Sequence, residues 1–151
     1  MPFFLDTSAL VKLYVREPGT DAMLRLAAHA QHGELYLSAL AVVEFTAALR
    51  VLERTGRVHP ADVTELLAQF REHQGLRFVR TAVNDAVIEA ALRLLDRHAL
   101  RAYDALQLAS ALVLGRQLPD TRFVCSDQAL ALAARAEGLD CLDPQRDDEV
   151  E

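Results

Sequence analysis

Pro2-Phe3-Phe4-Leu5-Asp6-Thr7-Ser8-Ala9-Leu10 is the stretch on which the reading of this chain turns. Three apolar residues run into a carboxylate, two hydroxyls follow, and an apolar pattern with helical spacing begins. The pattern predicts a short buried strand over Phe3 to Leu5 whose carboxyl end presents Asp6. A helix capped at Thr7 or Ser8 comes next. In an open parallel α/β sheet, ligands bind just beyond the carboxyl ends of the strands. Two readings of Asp6 therefore stand side by side. It caps the helix behind it, since Asp is among the best N-cap residues, or it is a carboxylate presented to a ligand. Taken alone, the cap is the simpler reading.

The same alternation continues outward from this start. The first helix runs from about Thr7 to Val15, and Glu17-Pro18-Gly19-Thr20 breaks it. A second helix carries Met23, Leu24, Leu26 and Ala27, and Glu34 to Ser38 reads as a second strand. A long helix spans Ala39 to Arg54, and another runs from Pro60 to about His73, where Gly75 stops it. Leu76 to Arg80 is a third strand. Helices over Asp85 to His98 and Ala102 to Arg116 follow. Thr121 to Ser126 is a fourth strand ending on Asp127, a helix spans Asp127 to Ala136, and Leu139 to Leu142 is a fifth, edge strand. Short strands alternating with helices call for a parallel sheet covered on both faces. The expected fold is one three-layer α/β/α sandwich with a short-stranded central parallel sheet over residues 1–142. Residues 143–151 form a frayed acidic tail.

Composition bounds the function without choosing it. A chain of 151 residues supports one domain with a full core. No apolar run is long enough to cross a bilayer and no basic segment precedes a cleavable apolar stretch, which predicts a cytoplasmic chain without a membrane partner. Cys125 and Cys141 lack CxxC spacing and read as free, buried thiols. The net charge of −6 does not advertise a nucleic-acid surface. Five acids against one Arg in residues 143–151 make the body more nearly neutral. Fifteen of the sixteen cations are Arg, the better bidentate phosphate ligand. The five histidines form no HExxH and read as surface residues. No GxSxG, GxxxxGK[ST] or GxGxxG is present.

Four carboxylates stand out. Leu5-Asp6 and Ser126-Asp127 end two strands alike. If the fourth strand returns beside the first, both ends meet at the switch point. Glu44 interrupts Ala41-Val42-Val43-Glu44-Phe45-Thr46-Ala47-Ala48, and Asp104 interrupts Ala102-Tyr103-Asp104-Ala105-Leu106. A carboxylate in an apolar helix is costly to bury unless it is paired or coordinated. Converged carboxylates cannot all stay ionised near neutral pH without a cation among them. Mg²⁺ or Mn²⁺, hard ions with oxygen ligands, fit such a set. Each acid separately has a plain structural reading: caps for Asp6, Asp104 and Asp127, and an Arg salt bridge for Glu44. As an ordered set of four they favour a metal site.

Phe4-Leu5-Asp6-Thr7-Ser8, Glu44 in its Ser-Ala-Leu-Ala-Val-Val-Glu frame, Arg101-Ala102-Tyr103-Asp104-Ala105 and Phe123-Val124-Cys125-Ser126-Asp127 resemble, in order and spacing, the motifs of PIN-domain nucleases. The likeness is to VapC-type toxins of toxin–antitoxin pairs and covers the chain up to the tail. The resemblance implies a Mg²⁺- or Mn²⁺-dependent endoribonuclease with Asp6, Glu44, Asp104 and Asp127 as catalytic and metal-holding acids. Thr7, Ser8 and Ser126 would support them. Cys125 stands where the family often carries Thr. The resemblance also implies an RNA substrate, a homodimer and a cognate antitoxin that blocks the acidic pocket. Lys12, Arg16, Arg97 and Arg101 are candidate RNA phosphate contacts; a solvated helix face is the plainer reading for all but Arg101. The alternative is a catalytically inactive PIN-like module that binds RNA or a partner. An Asp-nucleophile phosphatase would want an acid where Ser8 stands. A phospho-acceptor module would want a late Lys, and Lys12 is the only Lys.

Overall fold

The structure, a computed structural model, describes residues 1–146. Its elements in chain order are β1 (Phe3–Leu5), α1 (Thr7–Lys12), α2 (Thr20–His29), β2 (Leu35–Ser38), α3 (Ala39–Arg54) and α4 (Pro60–Leu76). These are followed by β3 (Val79–Thr81), α5 (Asp85–Arg97), α6 (Ala102–Gln117), β4 (Arg122–Val124), α7 (Gln128–Ala136) and β5 (Asp140–Leu142). The strands form one sheet in the order β3-β2-β1-β4-β5. Every pairing is parallel. The chain winds outward from β1 to β3 and returns to place β4 against the other side of β1. The switch point therefore falls between β1 and β4, where Leu5 pairs with Val124.

Side-chain alternation along the strands builds two cores. Phe4 and Phe123 face one way, their ring centroids 6.1 Å apart. They pack with Val87, Ala91 and Leu94 of α5, Leu108 of α6 and Leu130 of α7. Leu5, Leu35, Leu37 and Val124 face the other way, onto Leu10, Met23, Leu26, Phe45, Leu49, Val63 and Phe70 of α1 to α4. The three-layer α/β/α sandwich is present. Among the described residues no helix is long and apolar enough to cross a membrane.

β4 stops at Val124 rather than Ser126, so Asp127 lies three residues beyond the strand, and the sequence expectation differs further in three places. α1 ends at Lys12 rather than Val15, because tertiary contacts claim Tyr14. Its ring meets Phe45 and Phe70 edge-on at 5.1 and 5.6 Å, and its hydroxyl lies 2.7 Å from Nδ1 of His73. His73 is thereby half-buried rather than a surface residue. α4 runs through Gly75 to Leu76, and β3 starts only at Val79. Phe78 is drawn into the core between the two, and the Arg77 guanidinium donates to the Ala27 carbonyl at 3.2 Å.

The third difference follows β5. Asp143 and Pro144 are buried rather than frayed, and Asp143 Oδ1 accepts from the Gln145 N–H at 3.0 Å. Gly19 lies beneath this turn: a Cβ there would stand 3.0 Å from the Pro144 carbonyl, and its φ of 93° also favours glycine. The rest of the expected acidic tail, residues 147–151, lies outside the described residues.

Candidate active site

Asp6 sits at the carboxyl end of β1 and is only 5% exposed. It is also the N-cap of α1, the simpler of its two readings, in the place expected for Thr7 or Ser8. Its Oδ2 accepts from the Ser8 hydroxyl at 2.7 Å and from the Ser8 N–H at 3.3 Å. Ser8 Oγ in turn accepts the Ser126 N–H at 3.1 Å, which ties the end of β1 to the end of β4. The Cys125 thiol, fully buried, lies 3.7 Å from Asp6 Oδ2 and 3.4 Å from the Asp127 carbonyl oxygen. Burial raises the Asp6 carboxyl from its ordinary 3.8 to about 6. The Ser8 bonds oppose that rise, and the Glu44 and Asp104 charges add to it. Glu44 and Asp104 are thus each close enough to repel the Asp6 charge.

Glu44 projects from the apolar face of α3 and meets no Arg, contrary to the salt-bridge reading. Its Oε2 accepts from the Thr7 hydroxyl at 2.6 Å and from Gln107 Nε2 at 3.3 Å, and its Oε1 is buried without a partner. Asp104 lies in the first turn of α6, where Arg101 Nε donates to its Oδ2 at 3.3 Å. Arg101, not Asp104, is the N-cap of that helix. Asp127 caps α7 by accepting the Leu130 N–H at 3.1 Å. Two open pockets meet at Thr7. One is lined by Glu44, Arg101, Tyr103 and Asp104. The other is lined by Ser8, Lys12, Ser126 and Asp127. Glu44 and Asp104 therefore share one pocket, and Asp127 lines the next.

The candidate phosphate contacts fare unequally. Arg101 is 84% exposed at the rim of the first pocket. Lys12 is buried, against the expectation of a solvated helix face, with its ammonium on Glu17 at 2.9 Å. Arg16 is exposed and paired with Asp21. Arg97 is tied to Glu137, which also bonds His98, and lines neither pocket. Gln107 was not singled out from the sequence. It is a lone amide in an apolar helix, three residues past Asp104, and it is completely buried beside Glu44. The interruption pattern that marked Glu44 would have marked it too.

As the side chains stand, no three His, Cys, Asp or Glu among the described residues gather round one point to hold a metal. Each of the four acids has one carboxylate oxygen engaged by protein donors. The donor chemistry nonetheless fits a hard cation. Glu44 Oε1 and Gln107 Oε1 are buried acceptors with no donor, and Asp6 is held away from full ionisation by burial, with the Glu44 and Asp104 charges adding to it.

The comparisons with known proteins agree with this architecture. The PIN domain family matches residues 3–136. Ribonuclease VapC35 of Mycobacterium tuberculosis is 32% identical over 141 residues, which is 93% of this chain and 96% of that protein. The VapC20 structure from the same species, described as a sarcin-ricin loop cleaving toxin, superposes with a TM-score of 0.63. It is 20% identical and covers 91% of this chain and 95% of its own. A toxin–antitoxin complex from Klebsiella pneumoniae contains a chain that superposes with a TM-score of 0.63. That chain is 16% identical and covers 95% of this chain and 98% of its own. These two structures carry the fold, and the family match and the 32% relative carry the kinship: this chain belongs to the PIN-domain family and is a homologue of ribonuclease VapC35.

Proposed function

We propose that this protein is a divalent-metal-dependent endoribonuclease and the toxin of a toxin–antitoxin pair, acting in the cytoplasm. The observation that carries the reading is Asp6: a carboxylate at the switch point of a parallel sheet, pushed toward neutrality by its burial and further by the Glu44 and Asp104 charges. Such a cluster is a stable use of sequence only where a cation relieves it. Asp6, Glu44 and Asp104 would hold Mg²⁺ or Mn²⁺, with Asp127 completing the set from the adjoining pocket. A bound ion of this kind activates water and offsets charge on a phosphodiester. The chain's own residues do the positioning. Thr7 fixes one oxygen of Glu44, and Ser8 orients Asp6 while joining β1 to β4. Arg101, exposed at the pocket rim, would meet a phosphate. Of the other candidate contacts, Arg16 and Arg97 line neither pocket and the Lys12 ammonium is held on Glu17.

Kinship to a ribonuclease over most of the chain supports RNA as the substrate. The toxin–antitoxin complex among the structural neighbours supports a cognate antitoxin as partner. A homodimer remains part of the proposal. The second reading, a PIN-like module that binds RNA without cutting it, draws on the ungathered acids. One assay separates the two. The purified chain is incubated with a panel of structured RNAs in Mn²⁺ and, in parallel, in EDTA. Discrete cuts in Mn²⁺ that vanish in EDTA are expected. RNA retained uncut by a protein that takes up Mn²⁺ would favour the binding module.

A further inference from the structure

We infer that Gln107 is a positioning residue of the acidic centre, one that orients Glu44 so that a single carboxylate oxygen is left to face a cation. The inference rests on the metal-dependent reading of the site and deepens it. Gln107 is wholly buried on α6, one turn from Asp104. Its Nε2 donates to Thr7 Oγ1 at 3.0 Å and to Glu44 Oε2 at 3.3 Å, and the Thr7 hydroxyl donates to the same Glu44 oxygen at 2.6 Å. Proton bookkeeping fixes this arrangement. A carboxylate only accepts, so both the Thr7 proton and an amide N–H must point at Glu44. Thr7 Oγ1, having given its proton to Glu44, lies 2.6 Å from Glu44 Oε2, so one N–H of the amide bifurcates between the two oxygens.

Three elements are locked together as a result: α1 through Thr7, α3 through Glu44 and α6 through Gln107. Glu44 Oε2 receives two neutral donors, while Glu44 Oε1 and Gln107 Oε1 stay buried with none. A structural glutamate would be satisfied at both oxygens, because an unpartnered buried acceptor carries its full desolvation penalty. An amide suits this place better than a cation would. It steers the carboxylate without neutralising the charge that a metal ion needs. Partners that orient metal-holding side chains change affinity by about 10- to 100-fold when removed.

The test is Mn²⁺ affinity, read from the free-ion electron paramagnetic resonance signal, for wild type, Gln107→Met and Ser110→Ala. Met matches Gln in length and lacks the donor. Ser110 is buried on the same helix and bonds only the Leu106 carbonyl, so it controls for general disturbance of α6. Gln107→Met is expected to bind Mn²⁺ about tenfold more weakly, with Ser110→Ala equal to wild type. If Gln107→Met does not fold, Gln107→Leu carries the same comparison. A folded variant at position 107 that binds as tightly as wild type overturns this inference alone, as does an equal loss in Ser110→Ala. Wild type that takes up no Mn²⁺ overturns the metal-dependent reading, and this inference with it.

Discussion

Asp6 carries two roles that pull against each other. As a cap it is held by Ser8, which favours the ionised form; as a buried group beside Glu44 and Asp104 it is driven toward the protonated form, and the second influence wins. The consequence for stability has a definite sign. Between about pH 4 and 6 the folded chain holds a proton on Asp6 that the unfolded chain has released. The native state then binds more protons, so stability falls as pH rises through that window. Asp6→Asn keeps an acceptor for Ser8 and removes the charge. Without metal at pH 7.5 it should be more stable than wild type by on the order of 1–3 kcal/mol, with the gap closing near pH 4. Urea unfolding in EDTA at the two pH values checks this. A variant that is less stable at pH 7.5 would mean that Asp6 is retained for structure.

At the scale of elements, α3, β1 and the existence of β4 were legible because local signals agree there, although β4 stops at Val124, three residues short of Asp127. β1 and β4 are short, mainly apolar runs that lead to a polar helix cap, and α3 begins on the Ser38 cap with apolar residues at helical spacing behind it. α1, α4 and β3 were less so, because the deciding contacts are remote in sequence. Tyr14 leaves the helical path for an aromatic cluster built from α3 and α4, and Phe78 is pulled into the core before β3 can begin. The same limit applies to the site. The spacing of the acids was readable, but Glu44's partners were not, since Thr7 and Gln107 lie 37 and 63 residues away. A cap role for Asp6 and Asp127 could be read locally, and the pairing of Asp104 with Arg101 is equally local, three residues apart at the start of α6. The junction of α1 with α4 can be probed directly. Tyr14→Phe keeps the ring packing and loses the bond to His73, and should cost about 1 kcal/mol in a urea titration. No loss would show that the end of α1 is held by the rings alone.

At the scale of the molecule, the sheet order explains why one short motif at the start of the chain governs the rest. β1 is the central strand, β4 is its neighbour across the switch point, and the loops leaving both strands open into pockets that share Thr7. The helices contribute their acids from both faces of the sandwich, Glu44 from the α1–α4 layer and Asp104 from the α5–α7 layer. The centre therefore depends on the whole fold. The measurement that bears most directly on this account is the cleavage rate of Asp6→Asn beside wild type, in saturating Mn²⁺, on an RNA that wild type cuts. The account predicts a fall of about 100-fold or more, with the variant folded and its metal-free stability at pH 7.5 raised. A folded Asp6→Asn that cuts at the wild-type rate would contradict it.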